Sequence, residues 1–345
     1  METINILMLG GKRCGKTTVL GSMYNQIEKA VAATDLSISY SDEATRTELT
    51  KATDAIKEKM DMFHNKLIRV EVDENATNAK SEYKFALSVK NYKIPFVIHD
   101  IPGEWLENEN QEKVKKLIDQ CDVIMIAIDT PYLFSKMTSK GYGIYHETYN
   151  KPATITNFFK NSLKPEQIKH RMVLFVPIKC ERYYHLTYSE KLNLSKRDFM
   201  QELVSAISYG YADLISYLRS TKELANNCTI AITPILSAGG IDFVHFRKDP
   251  KTGKMVSLYQ QPEFLPADEC GYSPRFCEQP LIYSLIYILR RAIDAKKNNR
   301  FFAGIGGGNL VQMETAYNTL RGRIKRGSRS FSEDGYYFIQ NPLDI

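Results

Sequence analysis

The chain has 345 residues, of which 46 are basic and 40 are acidic, and its formal net charge is +6. This length is long for one domain and short for three, and the apolar content of 43% is that of a globular protein rather than a disordered chain. The small charge excess does not require a nucleic-acid or membrane partner, and the apolar run 281–289 is far too short to span a bilayer.

The cysteines, at positions 14, 121, 180, 228, 270 and 277, include no C-x-x-C pair. Their spacing argues against a zinc ribbon or a thioredoxin-like redox site, and their scattered placement is typical of a reducing compartment. The first residues enter a strand-like run without a charged leader, so we expect no signal peptide. We therefore expect a cytoplasmic protein without a transmembrane segment.

Strand-like apolar runs alternate with helix-like segments along most of the chain. Strands are predicted at 4–9, 83–89, 94–98, 123–128, 172–178 and 230–236. Helices are predicted from residue 17 onward and at 112–120, 156–163, 196–218 and 276–295. Repeated β–α units of this kind predict an α/β fold, in which a mixed, mostly parallel sheet is covered by helices on both faces.

Three segments are longer than a minimal α/β unit needs. Segment 42–66 is charged and helix-prone, segment 130–150 is a loop rich in Gly and Tyr, and segment 247–277 holds a hairpin-turn sequence followed by prolines. We predict one domain over residues 1–296 that carries these insertions. The tail 297–345 is predicted to be a partly flexible C-terminal extension.

The segment Gly10–Thr17 matches G-x-x-x-x-G-K-[ST] in full and lies between a predicted strand and a predicted helix. In that context the backbone N–H groups of the loop and of the helix N-terminus point at anionic oxygens. Lys16 is expected to reach the β- and γ-phosphates, and the Thr17 hydroxyl is expected to bind Mg²⁺. The expected nucleotide-binding residues of this loop are Gly10, Gly11, Lys12, Arg13, Cys14, Gly15, Lys16, Thr17 and Thr18.

A second motif, D-x-x-G, begins where the third predicted strand ends. The Asp100 carboxylate is expected to hold the Mg²⁺ shell. The N–H of Gly103 is expected to meet the γ-phosphate, because glycine permits a close approach. In order after a phosphate loop, this motif predicts the second part of a nucleotide site.

Two further strand ends carry candidate residues for binding a base. The stem of Lys179 is expected to lie over the ring, and Glu181 is expected to accept hydrogen bonds from guanine N1–H and the exocyclic amine. Adenine lacks that donor pair, so a carboxylate here favours guanine. The turn at Ser237 and Ala238 can present a backbone N–H to guanine O6. An ordinary surface Lys–Glu pair and a simple strand-ending turn are the alternatives.

Together these elements resemble the Ras-like GTPases of the TRAFAC class, over about residues 3–296. More narrowly, the segments G-G-K-R-C-G-K-T-T, D-I-P-G-E, P-I-K-C-E and L-S-A-G-G are similar to those of the bacterial double-GTPase family. The resemblance implies a Ras-like P-loop NTPase fold with helical and loop insertions. It also implies a switch that binds GTP, GDP and Mg²⁺ and signals to a protein effector or partner subunit, in a prokaryotic conflict system such as antiviral defence.

The sequence departs from the pattern of these GTPases in the base motif and after D-x-x-G. Ile178 stands where Asn or Thr is usual, and Glu181 stands where Asp is usual. Glu104 replaces the common Gln that orients the attacking water. It could act as a base, repel the γ-phosphate or have only a capping or surface role. We therefore expect slow hydrolysis with Lys16, Gly103 and Glu104 as catalytic residues, assisted by an arginine from a partner.

The switch threonine of these GTPases, which binds Mg²⁺, has its best positional match at Thr77, although a turn role is the alternative. Two other functions stay open: a P-loop ATPase or kinase, and a nucleotide-binding scaffold with little hydrolysis. The tail contains five basic residues that could contact nucleic acid or acidic lipid, although a solvated extension is favoured. These residues are Arg321, Arg323, Lys325, Arg326 and Arg329.

Overall fold

The computed structural model describes residues 3–12, 14–32, 34–61, 68–70, 80–89, 92–135, 145–165, 169–184, 196–253, 255–260, 271–298, 307–323, 337–343 and 345. The strands are β1 (Ile4–Leu9), β2 (Leu36–Tyr40), β3 (Ile68–Val70), β4 (Ser81–Val89), β5 (Tyr92–Asp100), β6 (Val123–Asp129), β7 (Arg171–Ile178), β8 (Cys228–Ile232), β9 (Gly239–Gly240), β10 (Asp242–Lys248), β11 (Met255–Gln260), β12 (Gly271–Tyr272) and β13 (Tyr337–Gln340).

The helices are α1 (Lys16–Val31), α2 (Glu43–Asp61), α3 (Gln111–Gln120), α4 (Thr130–Leu133), α5 (Pro152–Ser162), α6 (Glu181–Tyr184), α7 (Lys196–Gly210), α8 (Ala212–Leu218), α9 (Lys222–Asn227), α10 (Gln279–Asn298) and α11 (Gly307–Arg323). A 3-10 turn covers Gly103–Leu106, and a π-type turn covers His146–Asn150. Within this described part of the chain, no helix is long and apolar enough to cross a membrane.

The main sheet has the strand order β13-β8-β7-β6-β1-β5-β4-β2. Strand β1 pairs in parallel with both β5 and β6, and β6, β7 and β8 continue the parallel run. Strand β4 is antiparallel to β5, β2 is antiparallel to β4, and β13 is antiparallel to β8. The prediction of a mixed, mostly parallel sheet is therefore confirmed.

Helices cover both faces of this sheet, as the sequence predicts. In β1, Ile6 and Met8 point into a core layer shared with α1, α10 and α11. Leu7 and Leu9 point into the opposite layer, which is shared with α3, α5, α7 and α8. This alternation follows from the two-residue period of a strand. Strands β6 and β7 are buried along their whole length, which explains their nearly continuous apolar sequences.

The structure differs from the prediction in several elements. The predicted strand 230–236 is β8, which ends at Ile232, so the chain leaves the sheet before Ser237. The predicted helix 196–218 is two helices, because Tyr211 has a non-helical backbone with φ of −117°. Strand β2, for which the sequence pattern predicts no element, forms an edge of the sheet.

The insertions and the tail contribute ordered structure of their own. Insertion 42–66 contains α2, and insertion 247–277 contains β11, which pairs with β10 and β3 in a three-stranded sheet. In the tail 297–345, α11 packs against the core and β13 joins the main sheet beside β8. The domain boundary near residue 296 stays a prediction.

The central position of β7 predicts the cost of a core cavity. Phe175 is fully buried, and its ring centroid lies 5.0 Å from that of Tyr211. Phe175→Ala should lower the free energy of unfolding by about 3–5 kcal/mol, because the surrounding side chains cannot fill the space. Urea unfolding measures the loss. The control Val311→Ala, at a position 62% exposed, should change it by less than about 0.5 kcal/mol. Equal effects of the two substitutions would contradict this core.

Candidate functional site

The carboxyl ends of the parallel strands bring the sequence-predicted residues to one edge of the sheet. The phosphate loop, defined as residues 10–17, follows β1, and Asp100 is the last residue of β5. Lys179 follows β7 directly, and Ser237 lies in the loop after β8. Ligands bind at this edge in open α/β sheets, so the topology places the predicted residues where one ligand can meet them.

The phosphate loop is organised around the side chain of Lys16. This residue is 7% exposed, and its Nζ donates hydrogen bonds to the carbonyl oxygens of Gly10 (3.1 Å) and Gly11 (3.2 Å). Because Lys16 is the first residue of α1, its charge lies at the helix end whose backbone N–H groups attract anions. The thiol of Cys14 is buried, which raises its pKa and keeps it neutral at neutral pH.

The remaining loop positions are placed as follows. Gly15 immediately precedes α1, and Thr18 is partly buried in the first turn of that helix. Lys12 is exposed. Arg13 and Thr77, both named from the sequence, lie outside the described residues, so their predicted roles are left as predictions.

Thr17 and Asp100 meet directly. The Thr17 hydroxyl donates a 2.8 Å hydrogen bond to Oδ2 of Asp100, which is completely buried. Burial raises the pKa of Asp100, and the positive charge of Lys16 and the hydrogen bond from Thr17 oppose that rise. The other carboxylate oxygen, Oδ1, is buried without a hydrogen-bond partner among the described residues. A hydroxyl beside a buried, incompletely bonded carboxylate matches the oxygen ligands that Mg²⁺ prefers.

The segment after Asp100 packs onto the phosphate loop. A Cβ at Gly103 would lie 2.2 Å from the backbone nitrogen of Lys12, so the close approach requires glycine. Glu104, the next residue, forms a 2.7 Å ion pair with Nζ of Lys12. Partial burial opposes ionisation of Glu104, but the hydrogen bond from Lys12 and the charges of Lys12 and Lys16 lower its pKa below the ordinary value. Glu104 is therefore an ionised carboxylate beside the phosphate loop.

At the other end of the site, Lys179 forms an ion pair with Asp129. The distance from Nζ to Oδ2 is 2.5 Å, and Asp129 is almost completely buried at the end of β6. Burial works against the charge of Lys179, but the neighbouring carboxylate of Asp129 raises its pKa above the ordinary value. Lys179 also has a left-handed backbone, with φ of 58°. The pair is therefore a fixed, charged feature at the ends of β6 and β7.

Glu181 lies beside the turn at Ser237 and Ala238, and its carboxylate bonds this turn directly. Its Oε1 accepts hydrogen bonds from the backbone N–H of Ala238 (2.8 Å), the N–H of Gly239 (3.3 Å) and the hydroxyl of Ser237 (3.4 Å). From the sequence, Glu181 and the Ala238 N–H are both expected to face a base. The structure joins this carboxylate to this N–H, so the turn is held closed by a buried acceptor.

No sequence motif identifies two contacts of the site, although the position of Asp129 at the end of a predicted strand predicts that it lies near the nucleotide or caps a helix. Asp129 stands at a strand end, but no motif identifies it as the partner of Lys179. Asn150 binds the backbone of Asp129 through both ends of its amide group, and nothing in the loop sequence signals this contact. The sequence signal for Asp129 is its position at the end of an apolar strand. The sequence contains no signal that identifies Asn150.

The model of one protein family matches this chain. The family is described as Double-GTPase 2, and the match covers residues 4–176, which include the phosphate loop, Asp100 and Glu104. No match was found among curated proteins.

Three of the solved structures that match this chain do so at low identity and with TM-scores below 0.5. One is LeoA, a bacterial dynamin GTPase from ETEC, with 13% identity and a TM-score of 0.29 over 69% of this chain and 30% of that chain. A second is the GTPase-like domain of S. cerevisiae Ski7 bound to GTP, with 14% identity and a TM-score of 0.28 over 68% of this chain and 43% of that chain. A third is the same domain bound to GDP and inorganic phosphate, with 15% identity and a TM-score of 0.31 over 83% of this chain and 49% of that chain. The chain spans less than half the length of each.

The burial of Asp100 predicts how its charge affects stability. An acid whose folded-state pKa is raised stabilises the fold when protonated, and this stabilisation is lost as the pH rises through the folded-state pKa. Asp100→Asn, measured without divalent cations at pH 7.5, should therefore match or exceed the melting temperature of the wild type. Adding Mg²⁺ should raise the melting temperature of the wild type only.

The matched control is Glu112→Gln, because this exposed carboxylate pairs only with Lys115 among the described ion pairs. It should keep both the melting temperature and the Mg²⁺ response of the wild type. A clear loss of stability in metal-free Asp100→Asn, or a Mg²⁺ response in this variant, would contradict the assignment of Asp100 to a cation site.

Proposed function

The chain belongs to the Double-GTPase 2 family, and on that premise we propose that it is a GTP-binding switch that requires Mg²⁺ and hydrolyses GTP slowly. The observation that carries the proposal is the contact between the Thr17 hydroxyl and the buried Asp100 carboxylate. It joins the phosphate loop to the end of β5 and leaves one oxygen of Asp100 for a cation.

In this proposal the phosphates bind at the N-terminus of α1. The backbone N–H groups of the phosphate loop and the helix end donate to the phosphate oxygens. Nζ of Lys16, which donates to the carbonyls of Gly10 and Gly11, reaches the β- and γ-phosphates by a rotation of its flexible stem. A hydrogen bond from a charged ammonium group to a phosphate oxygen is stronger than one between neutral groups. Lys16 therefore contributes most of the affinity for the phosphates.

The residues at the end of β5 fit a magnesium ion. Thr17 and Asp100 would hold it through oxygen atoms, and the incompletely bonded Oδ1 of Asp100 supports this fit. When bound, Mg²⁺ neutralises charge on the β- and γ-phosphate oxygens. Thr77 is proposed as a further ligand on the resemblance alone.

Hydrolysis is proposed to use Glu104 as the base. The oxygen of a water molecule forms a bond to the γ-phosphorus, the bond from that phosphorus to the β–γ bridging oxygen breaks, and the water proton passes to the Glu104 carboxylate. The N–H of Gly103 and the ammonium of Lys16 stabilise the charge on the γ-phosphate oxygens. The ion pair with Lys12 lowers the pKa of Glu104 and so weakens it as a base, which supports slow turnover.

The base is proposed to be guanine. The stem of Lys179, anchored by Asp129, lies against the ring, and Glu181 accepts from N1–H and the exocyclic amine. Ser237 and Ala238 complete this end. Because the Ala238 N–H already donates to Glu181, reading O6 through that N–H requires this bond to lengthen when a base binds.

We also propose that the bound γ-phosphate contacts the segment after Asp100 and so passes the nucleotide state to a protein partner. The domain is proposed to cover residues 1–296. A cytoplasmic location and a role in a prokaryotic defence or conflict system are supported by cysteine usage and by the family resemblance. The ends of α11 carry Arg321 and Arg323, but contact of this basic tail with nucleic acid or membrane is not favoured.

A scaffold that binds nucleotide with little hydrolysis is the second candidate. The observation that favours it is the 2.7 Å ion pair of Lys12 with Glu104, because a carboxylate held by this lysine is less available to activate water. The two candidates agree on nucleotide binding and differ in turnover.

Nucleotide binding is tested first. Wild-type protein should bind a fluorescent GTP analogue at least about 100-fold more tightly than the matching ATP analogue, because a buried carboxylate discriminates the guanine donors. Lys16→Ala should weaken GTP binding about 100-fold, since it removes a buried charged donor. Lys115→Ala removes only an exposed ammonium and is the control. Equal affinity for ATP and GTP would refute the guanine assignment.

Turnover is tested by single-turnover hydrolysis of GTP. Glu104→Gln should slow the reaction about 100-fold, the effect expected for loss of a general base, and should leave GTP affinity within about twofold. Because the pKa of Glu104 lies below its ordinary value, the wild-type rate should be constant above about pH 5. Glu112→Gln serves as the control. Equal residual rates in wild type, Glu104→Gln and Lys16→Ala would favour the scaffold.

A further inference from the structure

A buried side chain of insertion 130–150 holds the end of β6. Oδ1 of Asn150 accepts a hydrogen bond from the backbone N–H of Asp129 (2.8 Å), and its Nδ2 donates to the backbone C=O of Asp129 (3.1 Å). Strand β1 last pairs with β6 at Ile126, because the chain then turns into the phosphate loop. Asn150 therefore supplies Asp129 with the two backbone hydrogen bonds that a neighbouring strand would make.

The amide group of Asn150 is itself held in one orientation. Its Nδ2 also donates to Nδ1 of His146 (3.0 Å), and Nε2 of His146 donates to the carbonyl oxygen of Gly210 (3.4 Å). Burial lowers the pKa of His146 to about 4, so the ring is neutral at neutral pH and can accept at Nδ1. The Tyr211 hydroxyl donates to the backbone C=O of Asn150 (3.4 Å). A flipped amide would lose its hydrogen bonds with Asp129 and His146, whereas the Tyr211 bond fixes the backbone of Asn150.

The carboxylate of Asp129 in turn fixes the position of the Lys179 side chain. One of its carboxylate oxygens pairs with Nζ of Lys179, and the other accepts from the backbone N–H of Tyr132 at 3.4 Å. The carboxylate therefore has a fixed direction, set by its backbone on one side and by the start of α4 on the other. Because Nζ of Lys179 pairs with this carboxylate, the position of the ammonium group depends on Asp129.

The same inserted segment touches the phosphate loop. A Cβ at Gly11 would lie 1.8 Å from the carbonyl oxygen of Tyr149, the residue before Asn150. The π-type turn 146–150 is thus wedged between the phosphate loop and the end of β6. Its contacts reach both ends of the candidate site.

We propose that Asn150 is a positioning residue for the base: by aligning Asp129 it holds the side chain of Lys179 where the ring of the nucleotide binds. This inference rests on the nucleotide-binding function proposed above. Asn150 contacts Asp129 rather than Lys179, so its effect on the base passes through the ion pair. The affinity of the site for nucleotides is then set partly by an insertion outside the nucleotide-binding motifs.

A double-mutant cycle with GDP affinity as the readout tests this proposal. Asn150→Ala should weaken GDP binding about tenfold in the wild-type background and less than about twofold in the Lys179→Met background, because the effect requires Lys179. The affinity for Mg²⁺ with tripolyphosphate, which has no base, should stay within about twofold of the wild-type value, by calorimetry. Thr156→Val removes a buried hydroxyl that bonds only Pro152 among the described contacts and is the control.

Each outcome decides the proposal. Equal losses of GDP affinity in the two backgrounds would overturn it, and so would a tenfold loss of tripolyphosphate affinity, because Asn150 would then support the phosphate loop. If thermal unfolding shows that Asn150→Ala does not fold, Asn150→Ser enters the same cycle with the same expectation. If the wild type binds neither GDP nor GTP, the proposed function fails together with this inference. If it binds GDP and the cycle is additive, this inference alone fails.

Discussion

The parallel pairing of β1 with β5 and β6 is the constraint on which the candidate site depends. The register places Met8 beside Asp100 and Leu9 beside Ile126, so the chain leaves β1 between the ends of the two neighbouring strands. The phosphate loop is therefore flanked by the carboxylates of Asp100 and Asp129. A slip of one residue in β1 would exchange the side chains of its two faces between separate core layers, and burial on both faces makes that slip costly.

Buried charges divide the site into two ends with different chemistry. Burying a charged group is costly unless it is paired or hydrogen-bonded. At the base end, Asp129 is neutralised by Lys179, and Glu181 accepts from several donors of the 237–239 turn. At the phosphate end, Asp100 has a donor for one oxygen, Thr17, and its other oxygen has none in the described part of the chain. The charges at the proposed base end are thus compensated by protein groups, whereas at the proposed phosphate end Oδ1 of Asp100 has no hydrogen-bond donor among the described residues.

The sequence predicts the phosphate end better than the base end for a physical reason. The phosphate loop and the end of β5 are contiguous segments, in which the strand end, the glycine and the polar residue are neighbours in the chain. The Double-GTPase 2 match covers both segments. At the proposed base end, Asp129 lies 50 residues before its partner Lys179 and belongs to no motif. Thr17 and Asp100 are 83 residues apart, but each of them lies in a motif of the sequence. A periodic pattern identifies strand ends, but it does not state which side chains pair there.

Two secondary-structure predictions are wrong about where an element ends. An apolar run predicts a strand as far as residue 236, but regular pairing with β7 stops at Ile232. Backbone hydrogen bonds to β7 continue from Thr233 to Phe175 and from Ile235 to Pro177, but Pro177 and Pro234 have no N–H to donate. The run 196–218 has a helical pattern, but the first helix ends at Gly210, and Tyr211, whose ring is buried against Phe175 and His146, has a non-helical backbone. Prolines and a glycine, together with packing, mark where these elements end.

The insertions are connected to the site rather than appended to the fold. The Tyr132 ring stacks on Tyr149 at 4.2 Å and on Phe246 of β10 at 4.4 Å, so insertion 130–150 packs against the strand that leads into insertion 247–277. Stacked aromatic pairs contribute about 0.5–1.5 kcal/mol each beyond burial, enough to keep these segments in register with the ion pair. Direct contacts therefore run from Lys179 and the phosphate loop to the turn 146–150 and to the hairpin of β10 and β11. Coupling between two sites requires a chain of contacting residues that can adopt two alternative arrangements. The stacked rings of Tyr132, Tyr149 and Phe246 form such a chain of contacts.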